Sequence, residues 1–223
     1  MSERPRLLDL FCGAGGAACG YVRAGFEVHG VDHRPQPNYL KSGATSFTQA
    51  DALEYCREHG HEFDAINASP PCQAYSTATP IDAVHDDLYD DTRAVLVKCS
   101  VPWAIENVIG APYASGIVMC GSMFGLEADG EWLCRHRNFE TSHLLFQPPC
   151  KHPRSTPITI TGQPYLSSVR SYGHSRMGTY ALCRRLMGID WMNRDELPQA
   201  IPPAYTEYIG KQLMRVLKGA GDE

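Results

Sequence analysis

The chain has 223 residues and a mass of 24.6 kDa, enough for one sizeable core and at most a small appendage. Its 43% hydrophobic and 20% charged residues exclude a disordered or collagen-like chain, and no apolar run approaches a membrane span. The formal net charge of −5 hides a segregation: residues 133–187 hold eight Lys or Arg against Glu140 alone, a local balance of +7 in an otherwise acidic chain.

Residues 6–12 are a short apolar run ending in glycines, which predicts a buried strand, a tight turn and a helix over 17–24. A second strand is expected over 26–32, a short helix or turn over 35–42, a third strand over 46–50 and a helix over 53–59. The fourth strand, 63–68, ends at Ser69-Pro70-Pro71 and leads into a polar loop reaching to about residue 86. Residues 87–99 read as a helix with acids at its favourable N-terminal end, and 103–108 as a fifth strand. Strands alternating with helices imply an α/β fold with a doubly wound, parallel, Rossmann-like sheet that binds ligands beyond the strands' carboxyl ends. After Gly110 the pattern loosens. Strands are expected over 117–124 and 137–146, an irregular Pro-, Ser-, Gly-, Arg- and His-rich stretch over 147–177, and helices over 180–187 and 206–217.

Nine cysteines, an odd number with no Cys-x-x-Cys, do not read as a disulfide framework. The polar start, Met1-Ser2-Glu3-Arg4-Pro5, lacks an apolar signal region, so the expectation is a cytoplasmic or nucleoid-associated protein with reduced thiols. Cys134-x-His136 and Cys150-x-His152 could supply four zinc ligands, but the spacing matches no common site and no metal is expected.

Four constellations carry chemistry. The turn Asp9-Leu10-Phe11-Cys12-Gly13-Ala14-Gly15-Gly16, followed by Asp32 at the end of the next strand, satisfies a loose nucleotide-cofactor fingerprint. Asp32 suits a ribose hydroxyl pair, and Asp51, ending the third strand, suits an adenine amino group. The second constellation, Pro70-Pro71-Cys72-Gln73, places a thiol on stiffened backbone at the ligand edge, as a nucleophile requires. Pro148-Pro149-Cys150 repeats the tripeptide outside the alternating region and is rejected for that role. Third, Glu106 in Ile105-Glu106-Asn107-Val108 sits in a largely apolar strand end, where burial raises a carboxyl pKa toward proton donation. Fourth, Arg135-His136-Arg137 puts two guanidiniums on one face of an extended segment, a clamp for phosphate or carboxylate.

In this order the motifs resemble those of the DNA cytosine-5 methyltransferases. Residues 9–20 look like the family's glycine-rich cofactor loop, Pro71-Cys72-Gln73 like its nucleophile motif, and Glu106-Asn107-Val108 is identical to its triad. Arg135-x-Arg137 resembles its two-arginine motif, although Leu133 stands where Gln is usual, and Gln199-Ala200-Ile201-Pro202-Pro203 looks like its closing segment. Members usually carry a large target-recognition domain before that segment. Here residues 138–178 alone are left for it, which makes the chain a minimal member. The implied organisation is a catalytic core over 1–137, a short basic recognition segment over 138–178 and a returning segment over 179–223.

The resemblance implies S-adenosylmethionine as cofactor, held by Asp9, Phe11, Gly13, Gly15, Gly16, Asp32, Asp51 and Pro71, and DNA as partner of a monomeric enzyme. It implies that Cys72 adds to carbon 6 of cytosine, that Glu106 donates a proton near N3, and that Arg135 and Arg137 orient the base and lower the thiol pKa. Gln73, Ser76 and Asn107 would contact a flipped base, with residues 73–85 as a lid, while Arg154, Arg170 and Arg176 face the nucleic acid. Three rivals stand beside it: the same chemistry on RNA or a free cytidine nucleotide, a nicotinamide-dependent oxidoreductase, and a catalytically silent nucleic-acid binder.

Overall fold

The computed structural model describes residues 4–72, 87–111, 116–161, 165, 168–172 and 174–219. Strands β1 (Arg6–Leu10), β2 (Glu27–Asp32), β3 (Ser46–Gln49), β4 (Ala65–Ala68) and β5 (Trp103–Asn107) alternate with helices α1 (Gly16–Ala24), α2 (Ala52–His59) and α3 (Tyr89–Lys98). Next come β6 (Ile117–Met119), the short strands β7 (Glu127–Ala128) and β8 (Glu131–Trp132), then β9 (Arg137–Thr141). The chain closes with β10 (Ile158–Thr159), β11 (Arg170–Tyr172), β12 (Ser175–Met177), α4 (Tyr180–Met187) and α5 (Pro203–Gly219).

Seven strands form the central sheet in the order β3-β2-β1-β4-β5-β9-β6. The first five are mutually parallel, as the alternating pattern requires, whereas β9 runs antiparallel to both β5 and β6. The sheet is therefore mixed, because β9 returns between β5 and β6. It also runs past the 137/138 boundary expected from the sequence. Residues 121–124, expected to extend β6, form a 3-10 turn, and the irregular stretch contributes the three-stranded sheet β10-β12-β11.

Alternation along the strands sorts the core onto two faces. Leu7, Val28, Ala65 and Ala104 pack with α1 and α5, while Leu8, Leu10, Ile66 and Ile105 pack with α2 and α3. On α5 the buried residues Tyr205, Ile209 and Leu213 recur every fourth position, each contributing roughly 1.5–3 kcal/mol of burial against α1. The two helices approach closely because Gly20 faces Pro203 and Thr206, where any side chain would collide with α5. Thr206 reinforces the contact by donating to the Ala17 carbonyl at 2.9 Å. This packing brings the segment before α5 against the glycine-rich turn. Among the described residues, no helix is long and apolar enough to cross a membrane.

Candidate active site

The turn from β1 into α1 is built on left-handed backbone. Gly13 (φ 48) and Gly15 (φ 83) take it without strain, while Phe11 (φ 55) does so at a cost of about 1–2 kcal/mol. Three contacts hold it. The Gly13 N–H donates to Asp32 Oδ2 at 3.0 Å, the Trp191 indole N–H donates to the Ala14 carbonyl at 2.8 Å, and Gly16 abuts the Ile201 carbonyl. Asp32 also accepts the Arg34 N–H at 2.9 Å. A Cβ on Gly13 would meet nothing within 4 Å, so the turn leaves room where a ligand would approach.

Two acids expected at the cofactor have other work. Asp9 is fully buried beneath the turn, accepting from Asn67 Nδ2 at 2.7 Å and Tyr39 OH at 3.4 Å, and Tyr21 OH donates on to Asn67 at 3.1 Å. Burial pushes its carboxyl up to about 7, against the lowering effect of the Asn67 and Tyr39 bonds. Asp51 caps α2, its Oδ1 accepting from the Leu53 and Glu54 N–H groups at 2.9 Å each.

Cys72 lies just past β4, half-buried, and β5 presents Glu106 and Asn107 beside it. Register aligns the acid with the arginines. Glu106 pairs with Phe139 across β5 and β9, so Arg137, two residues before Phe139, lies on the same face within diagonal reach. Arg137 Nε stands 2.8 Å from Glu106 Oε1, as an ion pair rather than an aligned hydrogen bond. Burial raises the Glu106 carboxyl, as its apolar strand predicts, and Arg137 and then Arg135 partly offset the rise. The expected lowering of the Cys72 pKa is reversed. Burial and then the Glu106 carboxylate raise the thiol, outweighing the field of the two arginines.

The two arginines divide their tasks. Arg135, expected to orient the base, is buried and donates to the carbonyls of Ile160 (2.9 Å), Pro198 (2.5 Å) and Ala200 (2.9 Å). Its own carbonyl accepts from Tyr205 OH at 2.6 Å. It therefore fastens the small sheet and the segment before α5 to the core, and it is Arg137 that forms the ion pair with Glu106. Asn107, expected at the base, also turns inward: its Nδ2 donates to the Pro70 carbonyl at 3.2 Å and its Oδ1 accepts from the Val108 N–H at 2.8 Å. Pro71 adjoins Cys72. Gln73, Ser76 and the rest of the expected lid lie outside the described residues.

In the basic stretch, Lys151, Arg154 and Arg170 are exposed. Arg176, also expected to face nucleic acid, is drawn into an ion pair with Glu131 of β8. The stretch's one acid, Glu140, is buried between Tyr89 OH and Arg93 Nε, the latter at 2.7 Å. Cys120, His136, Cys150 and His152 gather next to the arginines.

No family model matches the chain. Among curated proteins it is similar to three Type II methyltransferases. It is 34% identical over 84 residues to M.FnuDI of Fusobacterium nucleatum (36% of this chain, 24% of the relative). It is 32% identical over 134 residues to M.HgiDI of Herpetosiphon aurantiacus (55% and 43%). It is 28% identical over 124 residues to M.AquIA of a Picosynechococcus species (47% and 49%). Among solved structures it is similar to a DNA modification methyltransferase encoded within an E. coli prophage, with TM-score 0.62, 16% identity, and 96% of this chain and 99% of that one covered. It is also similar to the S. pombe Dnmt2 methyltransferase, with TM-score 0.65, 14% identity and the same coverages. The chain is thus similar in sequence to Type II methyltransferases and shares the fold of a solved DNA modification methyltransferase. All of these relatives are methyltransferases, which weighs against the oxidoreductase reading of the glycine-rich turn. The matches span less than half the length of the curated methyltransferases.

The residues that hold the site in place are not evident from the sequence. Trp191 under the turn, the Tyr21–Asn67–Asp9–Tyr39 chain and the carbonyls around Arg135 are brought in by tertiary packing, and no local motif announces them.

Proposed function

We propose that this chain is a methyltransferase that uses S-adenosylmethionine to methylate carbon 5 of cytosine in DNA. The observation that carries the reading is the convergence of Cys72, Glu106 and Arg137 beside the cofactor-type turn. The residues present fit the cofactor. The open approach at Gly13 suits close backbone contact, and Asp32 Oδ2, bonded to the Gly13 N–H, keeps a lone pair for a ribose hydroxyl. The Phe11–Gly16 turn, Asp32 and Pro71 would hold S-adenosylmethionine, which supplies a methyl group made electrophilic by its sulfonium charge.

Carbon 5 of cytosine is a weak nucleophile until the ring is activated. The Cys72 thiolate adds to carbon 6, while protonated Glu106 donates toward N3 and neutralises the charge that develops there. The ring then has enamine character, and carbon 5 can take the methyl group. Loss of the carbon-5 proton to water, return of the N3 proton to the Glu106 carboxylate and expulsion of the Cys72 thiolate restore the aromatic ring. Arg137 holds Glu106 in place and favours the thiolate, and Asn107 fixes the turn that presents it.

A stacked cytosine cannot reach a half-buried thiol, so duplex substrate is read with the target base flipped out. Lys151, Arg154 and Arg170 are the cations open to its phosphates. The test is labelled-methyl transfer offered in parallel to duplex DNA, single-stranded DNA, tRNA and dCMP. Incorporation into duplex DNA supports the proposal; incorporation only into tRNA or only into dCMP overturns its substrate.

A further inference from the structure

Four side chains that the methyl-transfer reading leaves unused converge beside the arginine pair. Cys120 follows β6, His136 stands between Arg135 and Arg137 ahead of β9, and Cys150 and His152 come from the irregular stretch beyond. One donor atom from each lies within 4.8 Å of the other three. His152 Nε2 is 3.5 Å from Cys120 Sγ and 3.1 Å from Cys150 Sγ. The His136 and His152 rings meet edge-on, 5.3 Å between centroids. A tetrahedral zinc ion, with bonds of about 2.3 Å to sulfur and 2.0–2.1 Å to nitrogen, separates its S and N donors by about 3.6 Å. The donor types, their number and their spacing all suit that ion.

We propose that Cys120, His136, Cys150 and His152 bind one structural zinc ion. Two sulfurs and two nitrogens suit zinc over the oxygen-seeking cations, and four protein donors close the coordination sphere to water. Cys134, whose Sγ is 3.6 Å from His136 Nδ1, lies outside this set. The sequence pattern conceals the site because it pairs Cys134 with His136, whereas the fold brings in Cys120 from the end of β6.

The ligands join three separate pieces of chain, so the ion would clip the start of the basic stretch to the antiparallel edge of the central sheet. Trp132 supports the same junction, its ring 5.2 Å from that of His152 and its Nε1–H donating to the Ser155 carbonyl at 2.9 Å. Ligation of His136 would also fix the backbone between Arg135 and Arg137, whose Nη1 donates to the His136 carbonyl at 2.9 Å. The ion would thus hold the Arg137–Glu106 pair and the exposed cations in one frame.

The test is metal content of the protein purified under reducing conditions without chelator, with cobalt exchange as the second measurement. The expected result is about one zinc per chain, and on Co²⁺ loading strong tetrahedral d–d bands with thiolate-to-cobalt charge transfer. Cys150→Ser and His152→Ala, at exposed positions, should lose stoichiometric zinc while retaining their circular dichroism, and Cys134→Ser should keep it. Chelation should lower the melting temperature and open residues 142–157 to protease. A folded, reduced protein that takes up neither Zn²⁺ nor Co²⁺ overturns the proposal, as does a Cys150→Ser variant with an unchanged cobalt spectrum.

Discussion

Asn107 on β5 donates to the Pro70 carbonyl at 3.2 Å, and this bond joins the strand that carries the acid to the turn that carries the nucleophile. The same side chain accepts the Val108 N–H, so both ends of its amide are committed at a position 1% exposed. Asn107→Ala leaves a buried carbonyl and a buried N–H without partners, a loss of about 1–3 kcal/mol for each. The expected result is a fall in kcat of about 10–100-fold with cofactor affinity nearly unchanged, measured by steady-state methyl transfer and cofactor titration. Asn107→Asp keeps the acceptor and loses the donor, so its kcat should fall as well.

The Cys72 thiol and the Glu106 carboxyl are both shifted upward, and the reaction needs the first deprotonated and the second protonated. The rate should therefore rise with pH as thiolate forms and fall once Glu106 loses its proton, giving a bell. Arg137 lowers both groups. Arg137→Met should move both limbs to higher pH and cut the maximal rate about 10²–10³-fold, read from kcat/KM against pH.

Arg135 should matter to stability more than to the pH profile. Its fork reaches three carbonyls, and a lysine's point charge cannot reproduce that geometry. Arg135→Lys is expected to destabilise the fold by about 2–4 kcal/mol, seen as a lower melting temperature, with the limbs of the rate–pH curve nearly in place.

Asp9 makes folding pH-dependent. Its carboxyl titrates near 7 in the folded chain against an ordinary 3.8, so the folded state holds the proton where the unfolded state has released it. The stability tied to this group is complete below about pH 4 and declines as pH rises toward 7. The loss is several kcal/mol at most. Asp9→Asn preserves an acceptor for Asn67 and removes the titration, so its melting temperature should change less between pH 4 and 7 than that of the wild type.

What the sequence revealed was local. Pro71-Cys72, Glu106-Asn107 and Arg135-x-Arg137 are each short motifs whose chemistry is readable in place, and β1 to β5 are apolar runs punctuated by glycine and proline. What it concealed depends on distant partners. The carbonyls that capture Arg135 lie 25, 63 and 65 residues away, and Glu131 claims Arg176 from outside the basic stretch. The insertion of β9 between β5 and β6 leaves no periodic trace, and strands of two or three residues in β10–β12 are too short to show alternation. Counting charges also overstated the free positive charge of residues 133–187, because Arg176 and Arg185 are paired with Glu131 and Asp129.

The proposed methyl transfer runs through a covalent bond between Cys72 and carbon 6 of cytosine. Duplex DNA carrying 5-fluorocytosine tests it most directly, because fluorine at carbon 5 cannot leave as a proton and the adduct cannot expel the thiol. With S-adenosylmethionine present, the wild-type chain should form a denaturant-resistant complex with this DNA, and Cys72→Ser should form none. Full methyl transfer to ordinary DNA by Cys72→Ser, or active wild-type enzyme that never traps the fluorinated duplex, would contradict the account.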